Sequence, residues 1–139
     1  MADEFSTRFR EVFSILDGSD AIFREHWERP SIVRHKGALD LVTDTDLAIE
    51  AYLKDALRDI VPGAVFMAEE SAAMAEPQGT CWIIDPVDGT TNLIHDYRVS
   101  AVSIALCENR QPVVGQMIDF VPKFAARFGI DACRRFVQQ

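Results

Sequence analysis

Apolar positions recur at helical spacing from the start of the chain. Phe5, Phe9, Val12, Phe13 and Leu16 fall at i, i+4, i+7, i+8 and i+11, the stripe of an amphipathic helix over residues 3–16 whose phenylalanines belong to a core. Asp17-Gly18-Ser19-Asp20 is predicted to interrupt or kink that helix, and Ala21, Ile22, Phe23 and Trp27 resume the pattern up to Pro30. Residues 31–34 and 39–42 flank His35-Lys36-Gly37-Ala38, the outline of a hairpin with a glycine in its loop. A second helix, opened by Thr45 or Asp46, is expected over residues 47–60 with Leu47, Ala51, Leu53, Ala56, Leu57 and Ile60 as its stripe. Pro62-Gly63 ends it, and residues 64–68 read as a short buried strand.

Residues 81–84, Cys-Trp-Ile-Ile, form a short run of bulky apolar side chains, as expected of a strand covered on both faces. Pro86 cannot donate to a central ladder, which puts Asp85 at the strand's end. Thr90-Thr91-Asn92 can cap a following helix, with a brief helical turn over residues 93–96. Residues 99–106 are apolar enough for a central strand, and Asn109-Arg110-Gln111-Pro112 turns the chain into residues 113–118. Strands and helices in this mixed order describe a layered α/β or α+β domain, not regular βαβ winding.

At 139 residues and 48% hydrophobic, the chain has enough apolar surface for one domain with its own core. A net charge of −8 excludes nucleic acid and anionic membranes as partners, since both need a basic face. Cys81, Cys107 and Cys133 are too few for a disulfide framework and have no zinc-ligand spacing, so a reducing cytoplasm is expected. With no charged-then-apolar leader at residues 1–16 and no run of about 18 apolar residues, a soluble, untargeted protein is expected.

The charge balance changes what the acids can be doing. The turn at residues 85–92 holds Asp85 and Asp88 three positions apart, with Pro86 and Gly89 tightening the chain so that both carboxylates can enter one small volume. Two such anions repel unless a cation lies between them, and hard oxygen donors favour magnesium or manganese over zinc. Read only as turn chemistry, the same residues need no metal. Two further segments carry acids at element ends: Asp40 with Asp46, and Glu69 with Glu70. If all three meet at one sheet edge, cations are required to compensate them.

Taken whole, D-P-x-D-G-T-x-N after the W-I-I strand resembles the second metal-site motif of the inositol monophosphatase family. Its wider superfamily includes the fructose bisphosphatases and the nucleotide and inositol polyphosphate phosphatases. D-L-V-T-x-T-D, ending at Asp46, resembles the first family motif, and F-M-A-E-E-S resembles the family's G-E-E-S strand end with Ala68 in the glycine position. The resemblance runs from about Ile32 to Ile118. It implies the N-terminal portion of an αβαβα-layered α+β sugar phosphatase fold, a mixed, largely antiparallel sheet with helices packed on it. It further implies magnesium-dependent, lithium-sensitive hydrolysis of a small phosphorylated substrate with two or three Mg2+ ions, for which Mn2+ can substitute. On that resemblance Glu69, Asp85 and the Val87 carbonyl hold a first ion, and Asp85 with Asp88 a second. Gly89 and Thr90 offer backbone N–H groups to the phosphate. Asp46 and Thr90, with Glu69, are the catalytic groups around the attacking water, and Glu70 makes an outer contact.

The sequence departs from the family at its end. The family continues into a second half with another ligand aspartate, in a W-D-x-x-A-G setting, and with most of the groups that read the sugar alcohol. No such motif occurs here, and residues 121–139 carry a balance of +3 against −11 for residues 1–120. Residues 1–120 are therefore expected to be the family-like domain and 121–139 an atypical basic tail. Around Phe124 and Phe128 the tail has the makings of a short amphipathic helix, which can pack over open sheet surface. A premature or frameshifted end and a naturally short protein are both compatible with this pattern, and in both the second ion lacks a ligand. Catalysis as an inositol phosphatase, as a fructose-bisphosphatase or 3′-phosphonucleotide phosphatase relative, or no catalysis at all in a metal-binding association module, are the functions that follow. An open sheet edge predicts a homodimer.

Overall fold

The polar residues gathered at 17–20 do not break the first helix. In the computed structural model, which describes residues 2–27, 32–35, 41–70, 79–95, 100–120 and 135–137, α1 runs unbroken over Ala2–Trp27. Ser19 and Asp20 in that stretch find partners within the helix. Ser19 Oγ donates to Leu16 O (2.5 Å), and Arg24 pairs with Asp20 one turn on (2.6 Å). At Gly18 the missing side chain lets another helix approach: a Cβ there would collide with the Tyr52 hydroxyl, which itself donates to Ile15 O (2.9 Å). Val12, Leu16 and Phe23 are buried, while the side chains of Phe5, Phe9 and Trp27 lie outside what is described.

The second helix, α2, spans Asp44–Leu57, three residues earlier at each end than its apolar pattern predicts. Its start is set by a capping box: Thr43 is the N-cap, and the Asp46 side chain returns to the Thr43 backbone. Its buried stripe is Ile49, Leu53 and Leu57, whereas Leu47 and Ala51 face outward, correcting the expected face. Ahead of it, β1 (Val33–His35) and β2 (Leu41–Thr43) pair antiparallel as the expected hairpin; its loop, including Asp40, lies outside the described residues.

The main sheet has five strands, β3 (Val65–Ala68), β4 (Thr80–Asp88), β5 (Ser100–Glu108), β6 (Gln111–Phe120) and β7 (Arg135–Val137), in that spatial order. Only the β3–β4 pair is parallel, so the sheet is mixed and largely antiparallel, as expected. Trp82 and Ile84 stand opposite Leu106 and Ile104, and with Val102 and Val114 they form the sheet's contribution to a core completed by α1 and α2. Burying this set supplies the main drive for folding. The other face is less covered: Val65 is 52% and Ile83 37% exposed, so β4 is not enclosed on both sides as its composition predicts.

Asn109 and Arg110 both take positive φ (49° and 68°), the two-residue turn whose twist matches paired strands. Gln111 and Pro112 therefore already belong to β6 instead of extending the turn, and Pro112 sits at a register shift where a missing N–H is tolerated. The basic tail contributes β7 to the edge of β6; the helix expected around Phe124 and Phe128 falls outside the described residues. Among the described residues no helix is long and apolar enough to cross a membrane.

Candidate metal and phosphate site

The strand carrying the central motif does not stop at Asp85. It continues to Asp88, because Asp85 pairs with Ser103 and Asp88 with Ala101: three steps on β4 against two on β5. The extra residue makes a bulge, and Pro86, lacking an N–H, sits within it at no cost to the ladder. Val87 turns inward, 2% exposed, and anchors the bulge in the core. Asp85 is left half-buried and Asp88 exposed.

Glu69 reaches Asp85 through strand pairing. Ala68 is the last residue of β3, opposite Ile84, and the Glu69 N–H then donates to Ile84 O (3.1 Å). The Glu69 and Asp85 side chains share a hydrogen bond. Desolvation is the first cause that pushes the Asp85 carboxyl up to about 7, followed by the Glu69 hydrogen bond and charge and then by the charges of Asp88 and Asp46. Three of the expected acids thus act on the fourth.

Asp46 enters from the other side of the site. It is fully buried at 0% exposure, and its Oδ2 accepts from the Thr43 backbone N–H (2.9 Å) and from the Thr43 hydroxyl. Its Oδ1 accepts from Thr90 Oγ1 (2.8 Å), which joins the start of α2 to the start of α3 (Thr90–Ile94). Thr90 Oγ1 also lies 3.0 Å from Val87 O, so the carbonyl expected to bind metal is already within reach of a hydroxyl. Gly89, at φ +90°, makes the reversal between β4 and α3 that a side chain would resist. Thr90, Thr91 and Asn92 form the first turn of α3 and do not precede it as a cap.

Two residues of the site have no role in the sequence reading. Thr43 holds Asp46 at both backbone and hydroxyl, and its signal was the T-x-x-D spacing of a capping box. Glu50 accepts the Glu70 N–H at Oε2 (3.0 Å) and Lys54 Nζ at Oε1 (2.8 Å); only the i, i+4 spacing of that Glu–Lys pair is visible in the chain.

Among the described residues no group of three or more His, Cys, Asp or Glu stands as one that could hold a metal ion. In kind, however, the donors fit a hard cation: they are all oxygens, and the buried Asp85 Oδ1 has no hydrogen-bond partner among the described residues. The present Glu69–Asp85 hydrogen bond is the way two acids share a site without a cation.

A profile of the inositol monophosphatase family matches residues 11–128. Inositol monophosphatase 2 of Solanum lycopersicum is 38% identical over 99 residues, an alignment covering 68% of this chain and 37% of that protein. Among solved structures, a Thermotoga maritima IMPase superposes with a TM-score of 0.71 at 25% identity, covering 96% of this chain and 52% of that one. Staphylococcal inositol monophosphatase-1, solved as a LiCl-soaked inhibitory complex, gives 0.70 at 22% identity over 82% of this chain and 47% of its own, a likeness of fold. The chain spans about a third of the curated relatives' length and half of the solved structures'.

Proposed function

The chain belongs to the inositol monophosphatase family, and from that premise we propose that its acidic cluster serves magnesium-dependent hydrolysis of a phosphate monoester, inositol monophosphate or a related sugar phosphate. The observation that carries this reading is Asp85, half-buried, bonded to Glu69 and pressed by Asp88 and Asp46. A purely structural turn gains nothing from collecting three acids against one carboxyl. In this reading Glu69, Asp85 and the Val87 carbonyl hold one Mg2+, and Asp85 and Asp88 a second; Mn2+ can replace either. When bound, the ions supply positive charge that acidifies a water and offsets charge on the leaving oxygen.

The chain's own residues do the rest. Thr90, while donating to Asp46 at 2.8 Å, keeps oxygen lone pairs free to accept a hydrogen bond from the attacking water; as that water's proton passes to Thr90 Oγ1, the hydroxyl's own proton passes to Asp46 Oδ1. Asp46, held at both oxygens, fixes the hydroxyl's direction. The backbone N–H groups of Gly89 and Thr90 face the phosphate. The same reading puts the family-like domain in residues 1–120 and a basic tail in 121–139.

The test is magnesium-dependent release of phosphate from inositol monophosphate by the purified chain beside its Asp85→Asn variant. Release by the wild type alone, suppressed by lithium, is the expected result. Equal rates for the two proteins would remove catalysis from this polypeptide.

A further inference from the structure

We propose that Glu50 is a positioning residue for the metal site, a role that rests on reading Glu69 as a ligand. Glu50 lies on α2, away from the acids of β4, and is 5% exposed. Burying a carboxylate is costly unless it is paired and hydrogen-bonded. Both conditions are met: Lys54 Nζ sits 2.8 Å from Oε1, and the Glu70 N–H donates to Oε2 at 3.0 Å.

The second of these bonds gives the residue its role. β3 is a four-residue edge strand, and its ladder ends with Glu69 N–H on Ile84 O at 3.1 Å. The peptide N–H before the Glu69 Cα is therefore fixed by the sheet. The N–H after it, on Glu70, is fixed by Glu50. With both flanking peptide planes held, φ and ψ of Glu69 are set, and with them the point from which its carboxylate departs towards Asp85. An edge strand this short cannot supply the second restraint, because the chain has already left the ladder. Groups that orient a ligand in this way govern affinity without touching the metal. A Glu–Lys pair on a helix surface would need neither burial nor the Glu70 contact.

Two conservative variants separate this role from simple support of the fold. Glu50→Asp keeps the charge for Lys54 but shortens the reach to Glu70. Glu50→Gln loses the charge but keeps an oxygen that can accept the Glu70 N–H. Mn2+ is titrated into the full chain by the loss of its free-ion EPR signal, with circular dichroism reporting the fold. Glu50→Asp is expected to weaken Mn2+ binding about tenfold and Glu50→Gln by no more than about twofold. In the chelated chain the Glu70 amide is expected to exchange with deuterium faster in Glu50→Asp than in Glu50→Gln, a readout independent of metal. Wild-type affinity in Glu50→Asp, or an equal loss in both variants, overturns the positioning role. Glu69→Gln serves as the control for the site itself: if it binds Mn2+ as the wild type does, or if the wild type does not bind, the site reading fails and Glu50's role fails with it.

Discussion

Asp85 keeps a proton that an ordinary aspartate would have lost. Its carboxyl is pushed up to about 7 from 3.8, first by burial and then by Glu69 and its charged neighbours. Between those values the folded chain binds a proton that the unfolded chain has released, so this group's contribution to stability falls as pH rises through about 4 to 7. In chelator, thermal melts of Asp85→Asn are expected to gain on the wild type across that window, and above it the gap stays constant. A pH-independent gap would mean that the acids are not crowded in solution. Thr90 carries a second expectation. Thr90→Val leaves buried Asp46 Oδ1 without its donor, a loss of about 1–3 kcal/mol in urea unfolding, and Thr90→Ser is expected to restore it.

At the scale of elements, local propensity and tertiary packing part company most clearly in α1. A D-G-S-D run is what loops use, and read locally it ends a helix. The helix continues because Tyr52 of α2 fills the space over Gly18 and because Ser19 and Asp20 find partners within the helix. Gly18→Ala is therefore expected to destabilise by about 1–3 kcal/mol, although alanine is the better helix former by about 1 kcal/mol. Combining it with Tyr52→Ala should recover most of the clash component, which a urea double-mutant cycle measures. β4 runs past its expected end at Asp85 for a related reason. A proline ends a regular ladder, yet a bulge accommodates it, and the bulge exists because β5 offers one residue, Val102, where β4 has two, Pro86 and Val87.

For the whole molecule, which carries a net charge of −8, the proposed metal role of the acid cluster predicts that stability responds to divalent cations. A ligand that binds only the folded chain stabilises it by about 2.7 kcal/mol at a hundredfold excess over Kd. Millimolar Mg2+ or Mn2+ is expected to raise Tm in the wild type but not in Asp85→Asn or Glu69→Gln, as scanning calorimetry would record. A shift retained in both variants would locate the binding elsewhere. Among the described residues, Val65 and Ile83 on the sheet and Ile32 beside β1 are large apolar side chains that stay exposed.

Asp85 and Asp88 stand out of the chain because residue type and local spacing are covalent facts, whereas Asp46 and Glu69 stand out from Asp40 and Glu70 through the resemblance of their motifs. The helices and most strands were legible for the same reason, since apolar period follows from backbone geometry. Pairings across the chain were not. Cys81 and Cys107, 26 positions apart, stand opposite each other on β4 and β5, and burial together with that neighbour pushes the Cys81 thiol up. Thr90 meets Asp46 across 44 positions, and the Glu70 N–H meets Glu50 across 20. No sequence period encodes such contacts, because strand register and helix packing are chosen by the burial of the whole core, and those choices bring Glu50 to the peptide behind Glu69.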